Sequence, residues 1–410
     1  MAYDSWLTPT PLSGSGNGEI VNKATNHTGR VLRSTVVTVV PAEGDSKTYT
    51  VNQSPSPEFI TVQNSYSVAK DSTSLKITGQ SNTNKINWVK TTPGTLNPTI
   101  PQTYNVGEEV VNNNTTIPGD PGASNQFNFS NTITFTQNTT ISARTCTITL
   151  TAGAGGSGLI KTITITQAAG EATMSLVPTS GTFTAAGSSN TIAVRSNAPW
   201  SSSNSGNTWI TVNTPSATGN KSVSITAAAY TGRTQRTGSI VFTTTAGGTK
   251  TATYSATQSG ATEFVRWASS SYTATKSGGT VTMTGTSNSS KLTFSVASGG
   301  TLTPTIPQAY TANSVSTNNG AVISGDPGAS RQFNFSITIT VPANLDVTEK
   351  TCNITVTPNS GAAQNAKLTQ SAGDATLSVT PSTITLPASG TQVGDEGTVN
   401  VVSNVSWTVS

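Results

Sequence analysis

The chain of 410 residues has only 9% charged and 33% hydrophobic side chains, with a formal net charge of +4. No cluster of Lys and Arg provides the basic patch that a nucleic-acid groove needs, so nucleic acid is excluded as a partner. At roughly 100 residues per immunoglobulin-like sandwich, the length suits three or four modules, and the Thr-, Ser-, Asn- and Gly-rich remainder favours short strands and tight turns over helices.

Low hydrophobicity also fits disorder, but regular alternation argues against it. Thr147-Ile148-Thr149-Leu150, Thr162-Ile163-Thr164-Ile165-Thr166 and Ile337-Thr338-Ile339-Thr340 each put apolar residues on one face. An all-β chain of tandem immunoglobulin-like sandwiches in an elongated array is therefore expected. The N-terminus, Met1 to Trp6, has neither a basic region nor an apolar run, so no signal peptide is expected. No apolar stretch nears the roughly 20 residues of a membrane span. A soluble protein outside the common export route follows, with no membrane partner.

Taken in chain order, the sequence repeats itself. Gly94-Thr95-Leu96 and Pro98-Thr99-Ile100-Pro101-Gln102 return as Gly300-Thr301-Leu302 and Pro304-Thr305-Ile306-Pro307-Gln308, at an offset of 300 − 94 = 206. Gly119-Asp120-Pro121-Gly122-Ala123-Ser124 returns as Gly325-Asp326-Pro327-Gly328-Ala329-Ser330, and Cys146 as Cys352, at the same offset. Two long modules are thus assigned to 55–170 and 261–372, with a short module at 171–260 between them. Each cysteine keeps phase with core positions and reads as a small buried hydrophobe.

The short module has its second half repeated at 1–54 and its first half at 373–410. Trp6-Leu7-Thr8 matches Trp209-Ile210-Thr211, and Thr28-Gly29-Arg30 matches Thr231-Gly232-Arg233, both at 209 − 6 = 203. Ser403-Asn404-Val405-Ser406-Trp407 matches Ser196-Asn197-Ala198-Pro199-Trp200 at 407 − 200 = 207. A half sandwich exposes its inner face and an unpaired edge. The expected assembly interface is Trp6, Leu7 and Val37, with Val36 and Val39, on one side and Val379, Val401 and Trp407 on the other. Linkers as short as Gln167-Ala168-Ala169-Gly170 predict a stiff rod whose ends do not meet easily. Head-to-tail completion between chains is therefore favoured. A longer or capped array and closure within one chain stay open.

Residues 171–260 resemble a BACON domain, an immunoglobulin-like module of Bacteroidetes-associated proteins that is often carbohydrate-binding. The resemblance rests on Leu176-Val177-Pro178, Trp200, Trp209-Ile210-Thr211-Val212, Arg236-Thr237-Gly238-Ser239-Ile240 and the closing Thr257-Gln258. The split module carries Pro381, Trp407, Trp6, Arg33 and Gln53 at matching places, whereas the long modules depart through an insertion between Pro-Thr-Ile-Pro and Gly-Asp-Pro-Gly. Such modules occur in bacterial surface enzymes and in virion proteins of crAss-like phages. The resemblance, with the missing signal, implies a virion head-fibre, capsid-decoration or tail-fibre component, with capsid proteins or further copies as partners. An extracellular adhesin for mucin or cell-surface glycans is the alternative.

No catalytic set emerges. The adjacent Glu108-Glu109 is replaced by Ser314-Val315 in the other long module, and His27 is the single histidine, so neither a carboxylate pair nor a triad is supported. Gly119-Asp120-Pro121-Gly122 offers one carboxylate, short of a calcium cage, and reads as a Pro-Gly turn. No cofactor or metal is expected. Sugar binding calls for exposed aromatics; Trp267, Tyr104 and Tyr310 are the candidates because the other tryptophans recur at core positions.

Overall fold

The computed structural model describes residues 3–92, 94–153, 158–389 and 397–410. Every regular element among them is a strand. The chain divides into two compact units, one comprising Met1–Thr173, Ser196–Trp200 and Thr244–Lys250, the other Met174–Arg195, Ser201–Thr243 and Thr251–Ser410.

In the first unit, a five-stranded sheet runs in the order Glu109–Asn112, Thr103–Val106, Phe127–Thr134, Ser74–Ser81, Ile60–Val62. Facing it is a four-stranded sheet of Ser65–Val68, Leu159–Gln167, Arg144–Ala152 and Ile86–Thr92. In the second unit the same architecture recurs. Val265–Trp267, Gly279–Ser287, Phe333–Val341, Ala309–Ala312 and Val315–Asn318 form one sheet; Ser271–Ala274, Gln364–Gln370, Lys350–Pro358 and Leu292–Val296 form the other. The alternation seen in the sequence is realised: Cys146, Ile148 and Leu150 are buried while the threonines between them are partly open. Both cysteines are free and buried in these cores.

Residues 174–258 supply the short sandwich. One sheet is ordered Met174–Val177, Ser188–Ser196, Lys221–Ala227, Ile210–Val212. The other is ordered Ser180–Phe183, Thr251–Gln258, Arg236–Thr244, Pro199–Ser203, Ser216–Thr218. At the N-terminal end, Leu7–Thr10 pairs with Val21–Ala24 and Arg33–Val39 with Lys47–Gln53, giving two isolated two-stranded sheets. At the C-terminal end there is one more such pair, Leu377–Thr380 with Asn400–Ser403. Two-stranded ribbons are marginal alone, and among the described residues these ends lack the layers that stabilise the sandwiches.

The two long cores fill one volume differently. Val62 stands opposite Gly79 and Trp267 opposite Gly285 in the strand register, so Trp267 occupies the place of Val62. Conversely, Trp88 sits where the other module has Phe294 (294 − 88 = 206). Each glycine is forced by an aromatic: a Cβ at Gly79 or Gly285 would lie 2.3 Å from Cζ of Phe129 or Phe335.

Candidate interaction site: closed joints and open halves

Where the 1–54 segment meets the first long sandwich, one arginine holds several groups. Arg30 Nε donates to the Asn82 carbonyl, its Nη2 to Asp120, and its Nη1 lies 3.7 Å from Glu58. The Asn82 amide donates to the carbonyls of Thr28 at 2.9 Å and Pro57 at 3.0 Å. Backbone bonds run from Arg30 N to Gly122 O at 3.2 Å and from Val31 N to Ala123 O at 2.6 Å. In the second unit the same set recurs residue for residue. Arg233 Nε donates to Asn288 O at 2.6 Å, Nη2 to Asp326, and Nη1 lies 3.5 Å from Glu263. Asn288 Nδ2 reaches Thr231 O at 2.7 Å and Thr262 O at 3.0 Å.

These joints explain two repeated motifs. The Gly-Asp-Pro-Gly-Ala-Ser turn is an acceptor surface for the preceding segment, rather than only the Pro-Gly turn read from its composition. Its second glycine allows close approach, since a Cβ on Gly122 or Gly328 would fall 2.3 or 2.2 Å from the carbonyl of Asn82 or Asn288. The Thr-Gly-Arg motif supplies the donor. Charge-assisted bonds of this kind are the stronger ones. Burial raises the Glu263 carboxyl, but hydrogen bonds from Ser360, Ser289 and Ser290 outweigh it and hold the group below its ordinary value.

A second joint follows each long module. In the first unit, Asn197 Nδ2 donates to Thr139 O at 3.1 Å and Glu171 O at 3.0 Å, while its Oδ1 accepts from Thr173 N at 2.8 Å. In the second unit, Asn404 Nδ2 donates to Leu345 O at 2.9 Å and Asp374 O at 2.8 Å, and Oδ1 accepts from Thr376 N at 2.8 Å. Lys70 pairs with Glu171 at 2.7 Å and Lys276 with Asp374 at 2.5 Å. Side-chain bonds from Lys70 and Lys250 hold Glu171 below its usual carboxyl range.

The terminal halves depart from the intact module in exposure. Val379 is 46% exposed where its counterpart Leu176 is 4%, Leu386 is 53% where Phe183 is 2%, and Trp407 is 50% where Trp200 is 1%. Val401 is half-buried. On the N-terminal side the expectation for Trp6, Leu7 and Val37 is corrected: all three are buried, in a small cluster with Tyr3, Tyr49 and Val51 packed against it. The indole of Trp6 lies 4.6 Å under the Arg33 guanidinium and donates to Asp4 Oδ2 at 3.2 Å. The 1–54 segment thus folds onto itself and covers its own aromatic. Val36 and Val39 are exposed, and so are Ile20 and Val21. His27 is buried, with Nε2 2.8 Å from Val31 O.

The three glycan candidates also need correction. Tyr104, Tyr310 and Trp267 are all core residues. Tyr104 accepts from Ile86 N and Tyr310 from Leu292 N, both at 3.3 Å, and Trp267 Nε1 donates to Gln364 O at 3.2 Å. Burial pushes the Tyr104 hydroxyl to about 12. A sugar platform needs an open ring face, which none of these offers. What the long modules do carry is a pair of equivalent shallow grooves. One, of about 440 Å³, is bordered by Lys76, Thr78, Gln80, Asn128 and Ser130. The other, of about 380 Å³, is bordered by Thr284, Thr286, Thr311, Asn334 and Ser336. Among the described residues, no group of three or more His, Cys, Asp or Glu could hold a metal ion.

Residues 198–259 match the BACON family, described as "Putative binding domain, N-terminal". That segment is thus similar to a module described as a binding domain. The match covers the Trp200, Trp209 and Arg236 region. No curated protein matches the chain. Among solved structures, the Bacteroides ovatus GH5 xyloglucanase in complex with a XXXG heptasaccharide is similar over 22% of this chain and 19% of its own, at 24% identity and a TM-score of 0.20. The protocadherin GammaB4 extracellular domain is similar over 99% of this chain and 66% of its own, at 10% identity and a TM-score of 0.30. Protocadherin Gamma B7 extracellular cadherin domains 1-4 cover 89% and 91%, at 10% identity and a TM-score of 0.31. The chain therefore spans less than two thirds of the first two, and likeness at this level says nothing of function.

Proposed function

We propose that this is a non-catalytic structural and interaction protein, in which successive modules are locked by the arginine and asparagine joints and copies unite through their terminal half modules. The observation that carries the reading is the set of apolar positions buried in 171–260 and open at 373–410. Leu176, Phe183 and Trp200 are covered, whereas Val379, Leu386 and Trp407 face solvent. Burying such side chains is worth roughly 1.5–3 kcal/mol each before association costs. The setting we propose, a phage virion fibre or filament, is taken from the resemblance of the short module.

Mass photometry of the intact chain tests the reading. Concentration-dependent oligomers are expected, and trimming 1–54 or 373–410 abolishes them. A monomer at micromolar concentration, unchanged by trimming, overturns it.

A second reading, a glycan-binding adhesin, is favoured by the twin grooves. Their hydroxyl and amide borders, with Lys76 beside the first, suit a polyhydroxylated ligand. Retention on a glycan array, reduced by Asn128→Ala together with Asn334→Ala, supports it; no retention removes it.

A further inference from the structure

The intact short module gives a strand-by-strand template for the proposed joint between copies, and this inference rests on that reading. Strand Lys47–Gln53 corresponds to Thr251–Gln258. Gln53 faces Arg33 in its hairpin as Gln258 faces Arg236, and in each pair arginine Nε donates to glutamine Oε1 at 2.8 Å. In the intact module, the other edge of Thr251–Gln258 carries a parallel strand, Ser180–Phe183, with Thr182 beside Thr257 and Phe183 beside Gln258. The counterpart of that strand is 383–386, by the offset of Pro178 and Pro381 (381 − 178 = 203). Residues 383–386 lie in no strand, and Ile384 and Leu386 are exposed. Lys47–Gln53 pairs with Arg33–Val39 alone among the described residues.

The closing glutamine shows the same gap. Gln258 Nε2 donates to Ala228 O at 2.7 Å and to Thr184 O at 2.9 Å. Gln53 Nε2 donates to Thr25 O at 3.0 Å, and Thr25 is the counterpart of Ala228 (228 − 25 = 203). The counterpart of Thr184 is Pro387 (387 − 184 = 203), which retains a carbonyl acceptor and belongs to the other half. The opposite sheet agrees: Ile192 stands beside Val223, and their counterparts are Val399 (399 − 192 = 207) and the exposed Ile20 (223 − 20 = 203).

We infer that 383–386 of one chain orders as a parallel strand on the free edge of Lys47–Gln53 in a second copy. Thr385 comes to lie beside Asn52, Leu386 fills the place that Phe183 holds, and the Pro387 carbonyl receives the second amide hydrogen of Gln53. Strand addition supplies backbone bonds to an edge that has none, and alternate side chains set the register.

The test is a disulfide in the full-length chain. Thr385→Cys with Asn52→Cys puts two cysteines on neighbouring strands about 4.8 Å apart, within bridging range. The native Cys146 and Cys352 are buried and stay in place. On oxidation, a thiol-reversible ladder of dimers and larger species is expected on a non-reducing gel. The control pair Thr383→Cys with Asn52→Cys, two residues out of register, is expected to give at least tenfold less. Equal ladders from both pairs, or none from a chain that still oligomerises by mass photometry, overturn the register while leaving the broader reading standing. A bridge formed within one chain overturns the exchange between copies. A parent chain that does not oligomerise overturns the reading on which the register rests.

Discussion

Arg233 and Asp326, 93 positions apart, form an ion pair where the short sandwich meets the long one, and Arg30 and Asp120 form its twin 90 positions apart. Each arginine also covers a backbone carbonyl and a glutamate, so it works as a fork rather than a point charge. Arg233→Ala is expected to cost about 1–3 kcal/mol, the price of leaving part-buried acceptors without a donor. Arg233→Lys recovers only a fraction of this. Thermal unfolding reads the loss, and proteolysis at 259–262 reads the opening.

Gly328→Ala brings a methyl within 2.2 Å of a backbone carbonyl that is pinned by Arg233, so the joint has to open. About 1–3 kcal/mol of destabilisation is expected from such overpacking. Gly325→Ala, three residues earlier, meets nothing within 4 Å and suffers only its φ of +71°, at about 1–2 kcal/mol. The two variants separate on protease sensitivity of the joint, where only the first increases cleavage.

Trp200 and Trp407 occupy one sequence position in two surroundings. Trp200→Ala is expected to cost about 3–5 kcal/mol in chemical denaturation, as for a buried aromatic. Trp407→Ala leaves the unfolding of the dilute chain within about 0.5 kcal/mol, as surface changes do, and weakens self-association. A large loss of stability in the dilute monomer refutes this account of Trp407.

Because the folded Glu263 carboxyl lies below its unfolded value near 4.5, its stabilising share is present above about pH 4.5 and is lost as pH falls through the folded value. Glu263→Gln is expected to flatten the acid limb of the stability curve. A pH titration of the melting temperature, wild type against variant, checks it.

Burial raises both thiols, outweighing the Lys90 charge near Cys146. Neither is therefore expected to react with a thiol reagent in the native protein at pH 7, whereas both do in denaturant. Rapid native labelling contradicts the assignment of these residues to the cores.

The fold was legible because its rule is local. Thr–Ile alternation specifies a strand with one wet and one dry face, and duplicated motifs mark duplicated modules. The glycan candidates failed because a solitary aromatic carries no sign of whether it faces in or out. Trp267 broke the repeat only because it had traded volume with Trp88, a compensation visible through the register opposite Gly285. Trp6 was misplaced because its cover, Arg33, comes from a neighbouring hairpin. The joints escaped notice for a different reason. Thr-Gly-Arg and Gly-Asp-Pro-Gly were both seen as repeats, but they lie about 90 residues apart, and nothing in either says that they touch. Two motifs repeated at nearly the same offset, 203 and 206, one carrying a cation and the other an anion, are the available signal.

Asn404 grips Leu345 and Asp374 with the same bonds that Asn197 makes to Thr139 and Glu171. The 373–410 segment is therefore seated on its neighbour in the same way as residues 171–260 are on theirs. In the assembly we propose, an incoming chain meets a socket already aimed, and the orientational entropy that usually opposes docking is lost during folding instead.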